Sequence, residues 1–300
     1  ARSAGTELPK EGGGGFSLPR RCLADAAVRR RHLGPMEAAD SVRLHGFSAP
    51  MRAMDEASAS ACLGRLWNYE RACDGGLVGD ARIKTHLLLP WVADLVSMPS
   101  LLDPLVELLG KDILIWSSGW AIKPPASTGF YSWHQDSTYA GVEPSDDVVV
   151  AWIALSPARH ESGGIRYIPG SHKQQLPHID RFQEDNFLSR GQEVQSGCFD
   201  EQSAVDATLE PGEFALHHFR CVHGSGPNTT GAARVGLQVL YMAAHCRKAR
   251  GCAREGAFLV HGEDRYGHWE LEPQPKADLG PEEVAAHRRA LDLEKANYFT

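Results

Sequence analysis

The sequence predicts a mainly β protein, a β-sandwich or barrel carrying a helical flank. Two observations point there. Residues 36–110 have helical texture, and from Lys111 the chain changes to short β-branched and aromatic runs. Clusters of turn-forming residues separate six such runs, the pattern of a layered or closed β fold. A 300-residue chain with 42% hydrophobic and 23% charged residues also has the make-up of a soluble globular enzyme with a sizeable core.

The elements follow in order. Residues 1–35 read as a flexible basic leader, with G-G-G-G at 12–15 and three arginines at 29–31. Seven basic residues against three acids make this segment +4, so the remainder is −11 of a total of −7. An Arg-rich start leaves organelle targeting open, although Glu7 and Glu11 weigh against a transit peptide. Residues 36–75 read as helical, most strongly Met54 to Ala72, with Asp55 as the cap and Gly75-Gly76 as the stop. Leu87–Val96 and Leu101–Leu109 read as two short helices parted by Pro99, the second ended by Gly110. Strands are expected at Ile113–Ile122, Phe130–Asp136, Val148–Leu155, Ile165–Ile168, Glu213–Phe219 and Arg234–Met242. Turn signals at 124–125, 143–147, 161–164 and 224–231 punctuate them. Residues 172–205 read as a long loop or insert, and Pro281–Lys295 as a charged helix. The expected organisation is a leader (1–35) and one domain (36–300). That domain divides into a helical flank (36–110), a β core (111–245) and a C-terminal extension (246–300).

Composition excludes some functions. An acidic body is a poor match for nucleic acid, whose phosphates need Lys and Arg. No apolar run approaches the ~18 residues a membrane helix requires. Seven cysteines, an odd number without a C-x-x-C pair, point to a reducing compartment, the cytoplasm or an organelle lumen.

The chemistry starts at F-Y-S-W-H-Q-D, residues 130–136. In an extended chain residues i and i+2 share a face, so His134 and Asp136 aim at a common point and Gln135 aims away. That pairing suits a divalent metal, and equally a simple His–Asp hydrogen bond. C-V-H-G-S-G-P-N (221–228) adds His223 at a strand end before a glycine-rich turn, where a lone histidine would more often bond to backbone. Eleven residues on, Arg234 interrupts an apolar strand. If it faces inward it needs a carboxylate for its guanidinium fork; on an edge it would face water. Trp152 lies within an apolar run and His172 follows P-G-S, and alone they read as core and surface residues. Two histidines and one carboxylate on one face of iron leave open positions for cosubstrate and O2, the facial triad of non-haem Fe(II) oxygenases.

Together, H-Q-D (134–136), S-G-G-I-R-Y-I-P-G-S-H-K (162–173) and H-G-S-G-P-N with Arg234 resemble the phytanoyl-CoA dioxygenase family of Fe(II)/2-oxoglutarate-dependent oxygenases. The likeness spans roughly residues 80–245. It implies a double-stranded β-helix (a cupin-like jelly roll) with His134, Asp136 and His223 as iron ligands. It implies Arg234 as partner of the 2-oxoglutarate tail, assisted by Ser225, with Trp152 beside the cosubstrate, Lys84 reaching it and the Gly119 backbone lining its pocket. It further implies hydroxylation of a small-molecule metabolite, with O2 as second cosubstrate and succinate and CO2 as co-products. Related halogenases carry a small residue where Asp136 stands, so its presence favours hydroxylation. Trp133, Ser137, Thr138, Tyr139, Arg159 and Arg166 are the substrate-pocket candidates, and few basic residues cluster to grip a CoA phosphate. A non-catalytic metal- or ligand-binding jelly roll, a zinc hydrolase, and other oxidative outcomes such as desaturation or cyclisation are the competing readings.

Overall fold

The computed structural model describes residues 32–249 and 252–298. The expected leader falls on residues 1–31 almost entirely, outside the described residues. The helices are α1 (Pro35–His45), α2 (Glu56–Ala72), α3 (Pro90–Val96), α4 (Pro99–Leu109), α5 (Ser137–Ala140) and α6 (Pro281–Tyr298). The first strands are β1 (Phe47–Arg52), β2 (Ile113–Lys123), β3 (Tyr131–His134), β4 (Val142–Glu143) and β5 (Val148–Ala154). Then come β6 (Arg166–Tyr167), β7 (His178–Asp180), β8 (Gln192–Val194), β9 (Val205–Asp206) and β10 (Glu213–His218). The last are β11 (His223–Ser225), β12 (Arg234–Ala243), β13 (Arg247–Lys248), β14 (Gly256–His261) and β15 (Glu270–Leu271).

Seven strands form the large sheet in the order β1-β10-β5-β12-β2-β14-β15, and β3-β11-β6-β9 form the small one. Two sheets with this mixed strand order match the expected jelly roll. The interior strand β5, between β10 and β12, shows why its sequence is a continuous apolar run, because it is buried on both faces. Val149, Ala151 and Ile153 pack with Trp91, Leu101 and Leu105 of α3 and α4. Trp152 and Ala154 of the same strand join the inner cluster with Ala121, Ile165 and Tyr167. The helices thus cover one face of the large sheet, and its other face is left for a site.

Several expectations need correcting. The helical stretch 36–75 is broken by β1, because Gly46 takes a left-handed cap (φ 88°) and the following F-S-A-P-M-R pairs with β10. Asp55 does cap α2, accepting from Ser58 N at 2.7 Å. The two short helices are separate, and Pro99 lies at their boundary as the first residue of α4, where a first-turn proline loses no hydrogen bond. The large sheet extends beyond residue 245, because β14 of the C-terminal segment pairs with β2. Among the described residues no helix is long and apolar enough to cross a membrane, and the six described cysteines are free thiols.

Candidate active site

His134 ends β3 and His223 begins β11, and the two are direct partners in that antiparallel pair. Asp136 stands differently from expectation. It lies beyond the strand with helical backbone angles (φ −60°, ψ −29°), at the start of the single turn α5. Convergence of the two side chains therefore comes from a tight turn and not from strand alternation. Gln135 makes that turn rigid. Its amide donates to the carbonyls of Gln174 and Arg220 and accepts from Leu176 N and Gln175 Nε2.

One nitrogen or oxygen from each of His134, Asp136 and His223 lies within 4.8 Å of the others. His134 Nε2 is 3.3 Å from Asp136 Oδ1, and His223 Nε2 is 3.8 Å from Asp136 Oδ2. Each histidine has its Nδ1 against a backbone carbonyl, Ser132 O at 2.7 Å and Cys221 O at 3.0 Å. A carbonyl only accepts, so Nδ1 carries the proton and Nε2 presents its lone pair inward. Burial lowers His223 well below the usual histidine range, and the adjacent His134 adds to this, against the pull of Asp136. Burial works against ionisation of Asp136, but His223, His134 and His217 outweigh it and hold the carboxylate well below its ordinary value. Two imidazoles that present Nε2 inward beside an ionised carboxylate are the donor set a divalent cation requires.

Sequence reasoning missed His217. It reads as core within E-F-A-L-H-H on β10, yet its Nε2 lies 3.1 Å from Asp136 Oδ2 and its Nδ1 3.1 Å from the Tyr167 hydroxyl. With Asp136 ionised, Nε2–H donates to the carboxylate and Nδ1 accepts from Tyr167. The second carboxylate oxygen is thereby restrained.

A cavity of about 130 Å³ runs inward from the three groups, lined by Tyr131, Trp152, Ile165, Ser225, Arg234 and Gln238 among others. Arg234 is only 1% exposed, and among the described residues its Nε and Nη2 have no hydrogen-bond partner. The guanidinium carbon sits 5.0 Å over the Trp152 ring. Burial lowers its pKa to about 10, offset in part by Tyr131. Gly236 allows this packing, because a Cβ there would come within 2.2 Å of Trp152. Lys123, also overlooked, is the Cα partner of Arg234 across the β2–β12 pair and is fully buried. It donates to Ser225 Oγ at 2.7 Å and to the carbonyls of Ser225 and Gly226. Burial, then Arg234, lowers its pKa to about 6. Asn228 clamps the turn behind Ser225 by donating to the carbonyls of Pro124 and Ala232.

Other expected residues lie elsewhere. Lys84 does not line the cavity; its ammonium is held at 2.6 Å by Glu272 and also donates to Gly256 O. A Cβ at Gly119 would meet Ile83, so the 82–83 turn covers that position. Trp133 packs against Phe199 and under Arg166, away from the cavity. Arg159 pairs with Glu210 and Arg166 with Asp206 at the surface. Ser137 bonds Gln175, and Thr138 bonds Gln175 and His178. The Tyr139 side chain lies outside the described residues.

The family model described as "Phytanoyl-CoA dioxygenase (PhyH)" matches residues 52–236. The chain belongs to the phytanoyl-CoA dioxygenase family. A probable alpha-ketoglutarate-dependent hypophosphite dioxygenase of Stutzerimonas stutzeri is 29% identical over 184 residues, 58% of this chain and 60% of that protein. The 1-deoxypentalenic acid 11-beta-hydroxylase of Streptomyces exfoliatus is 30% identical over 146 residues, 46% of this chain and 50% of that one. The chain thus spans about half to three-fifths of the length of these curated relatives. Among solved structures, the non-haem monooxygenase ThoJ in its apo form superposes with TM-score 0.79 at 30% identity, covering 87% of this chain and 97% of ThoJ. CytC3, solved with Fe(II) and alpha-ketoglutarate, shares the fold at TM-score 0.60 and 20% identity, over 83% of this chain and 97% of its own.

Proposed function

We propose that the chain is an Fe(II)- and 2-oxoglutarate-dependent dioxygenase that hydroxylates a small-molecule metabolite. The observation that carries this reading is Arg234, a buried guanidinium with two unsatisfied nitrogens at one end of a cavity whose other end is the His134–Asp136–His223 group. An unpaired buried charge is costly. A ligand that brings a carboxylate to Arg234 and oxygen donors to a metal at the triad removes that cost. A metal alone, or a hydrolase, gives Arg234 nothing to bind.

Iron(II) with 2-oxoglutarate and O2 supplies an oxidant that converts a substrate C–H to C–OH, with succinate and CO2 as co-products. The protein's own part is orientation and exclusion. His134, Asp136 and His223 are the metal ligands, and the carbonyls of Ser132 and Cys221 keep both imidazoles in the ligating tautomer. Arg234 takes the far carboxylate of the cosubstrate by its fork, and Ser225 donates a further hydrogen bond. Trp152, Ala121 and Ile165 keep the cavity dry, which strengthens those contacts.

The test is turnover. Protein with Fe(II), 2-oxoglutarate and O2 is expected to release succinate and CO2, with loss on omission of any one component. Asp136→Ala is expected to abolish substrate hydroxylation, leaving only uncoupled succinate. Undiminished product from that variant would overturn the ligand assignment.

A further inference from the structure

Asp136 borders two cavities. The first, described above, ends on Arg234. The second, of about 140 Å³, opens beside Asp136 and is lined by Trp116, Ala140, Gln192 and Leu240 and by Lys248, Glu255 and Glu294 of the C-terminal segment. A substrate must lie against the metal without entering the cosubstrate cavity. The second cavity is the one that meets both conditions.

Its polar lining divides into a satisfied part and an unsatisfied part. Lys248 pairs with Glu255 at 2.8 Å, donates to Ala140 O at 2.7 Å and lies 4.9 Å over the Trp116 ring. Glu255 accepts further from Trp116 Nε1 and Asn297 Nδ2, each at 2.6 Å. This pair is neutral and spent. Glu294, on α6, is different. Among the described residues its hydrogen bond is a 3.4 Å contact from Ser117 Oγ and no cation lies within ion-pair distance, Lys248 and Lys295 being paired with Glu255 and Asp80. Burial raises its pKa, as do Glu255 and Glu272, against the pull of Lys84 and Lys248. Gln192 Oε1, also in the lining, is buried with no hydrogen-bond partner among the described residues. Among the described residues the cavity therefore offers an apolar wall, an acceptor without a donor, one carboxylate without a cation and no free cation.

We propose that this cavity is the substrate chamber, that Glu294 is its specificity-determining residue, and that the substrate carries a cationic nitrogen (an ammonium, guanidinium or alkylated heterocycle) beside an apolar portion. The inference rests on the oxygenase reading above. Glu294 pairs with the cation, Trp116 and Leu240 hold the apolar part, and the C–H to be oxidised is brought next to Asp136. A phosphate-bearing acyl-CoA finds no unspent cation in the lining.

The experiment uses the protein loaded with Fe(II) and 2-oxoglutarate. A panel of primary amines, guanidines and N-methylated heterocycles, each with its uncharged N-acetyl or carbon analogue, is scored for stimulation of succinate release. Cations are expected to be preferred over their neutral analogues by about tenfold, ~1.4 kcal/mol. Glu294→Gln, an isosteric change, is expected to erase that preference, and Glu294→Lys to turn it toward carboxylates. Equal response to charged and neutral members, or a preference that survives Glu294→Gln, overturns the proposal. Failure of the wild type to release any succinate from 2-oxoglutarate overturns the oxygenase reading itself, and the two failures are thus separate.

Discussion

Replacing Arg234 by methionine is expected to move stability and affinity in opposite directions. The guanidinium is 1% exposed with Nε and Nη2 unsatisfied. Burial lowers its pKa from 12.5 to about 10, which corresponds to about 3 kcal/mol against the charged form in the folded protein. Methionine fills similar space without a charge and recovers most of that cost. It forfeits the stacking on Trp152, a contact of about 0.5–2 kcal/mol. The net expectation is a cosubstrate-free protein more stable by about 1–2 kcal/mol. The same change removes the partner of a buried carboxylate, a loss of about 2–5 kcal/mol, so the 2-oxoglutarate Kd should rise at least about 30-fold. Urea unfolding of the cosubstrate-free protein reads the first quantity, and anaerobic calorimetric titration with 2-oxoglutarate reads the second. Affinity within threefold of wild type would refute the placement of the cosubstrate tail at Arg234.

His217→Ala frees Asp136 Oδ2, and loss of such a support typically costs about 10–100-fold in metal affinity; a Co(II) titration checks it. Gly236→Ala puts a methyl 2.2 Å from Trp152, so it should destabilise by about 1–3 kcal/mol and weaken 2-oxoglutarate binding, read by urea unfolding and the same titration. Lys123 is lowered to about 6 in the folded protein, while an unfolded lysine titrates near about 10.4. The unfolded chain thus binds the extra proton between those values, and stability gains with rising pH across that window. Wild type minus Lys123→Met, compared by urea unfolding at pH 6 and pH 9, should show the wild type relatively weaker at the lower pH.

Short-range patterns carried much of this architecture. The apolar run of β5, the Asp55 cap and the H-Q-D, H-G-S and Arg234 signals are all local, and each marks an element or residue that the fold uses. What escaped depends on distant partners. Lys84 looks like a free cation in R-I-K-T-H, but Glu272, 188 residues away, claims it. His217 looks like packing until Asp136, 81 residues earlier, is folded against it. The same holds for Lys123, whose significance appears only when β2 pairs with β12 and sets it against Arg234. The extended geometry assumed for Asp136 failed because a strand can end within one residue of a ligand, and the turn that follows aims the carboxylate. Arg159, Arg166 and Trp133 sit close in sequence to site residues, yet Glu210 and Asp206 claim the two arginines, and Trp133 packs on Phe199 of the 172–205 segment.

The most direct test of the iron and 2-oxoglutarate assignment is an anaerobic titration of the protein with Fe(II) and 2-oxoglutarate, followed by visible absorption. A weak charge-transfer band that appears only with both additions, is lost in His223→Ala, and needs much higher 2-oxoglutarate in Arg234→Met is the predicted result. Tight metal binding with no band at any 2-oxoglutarate concentration would contradict it.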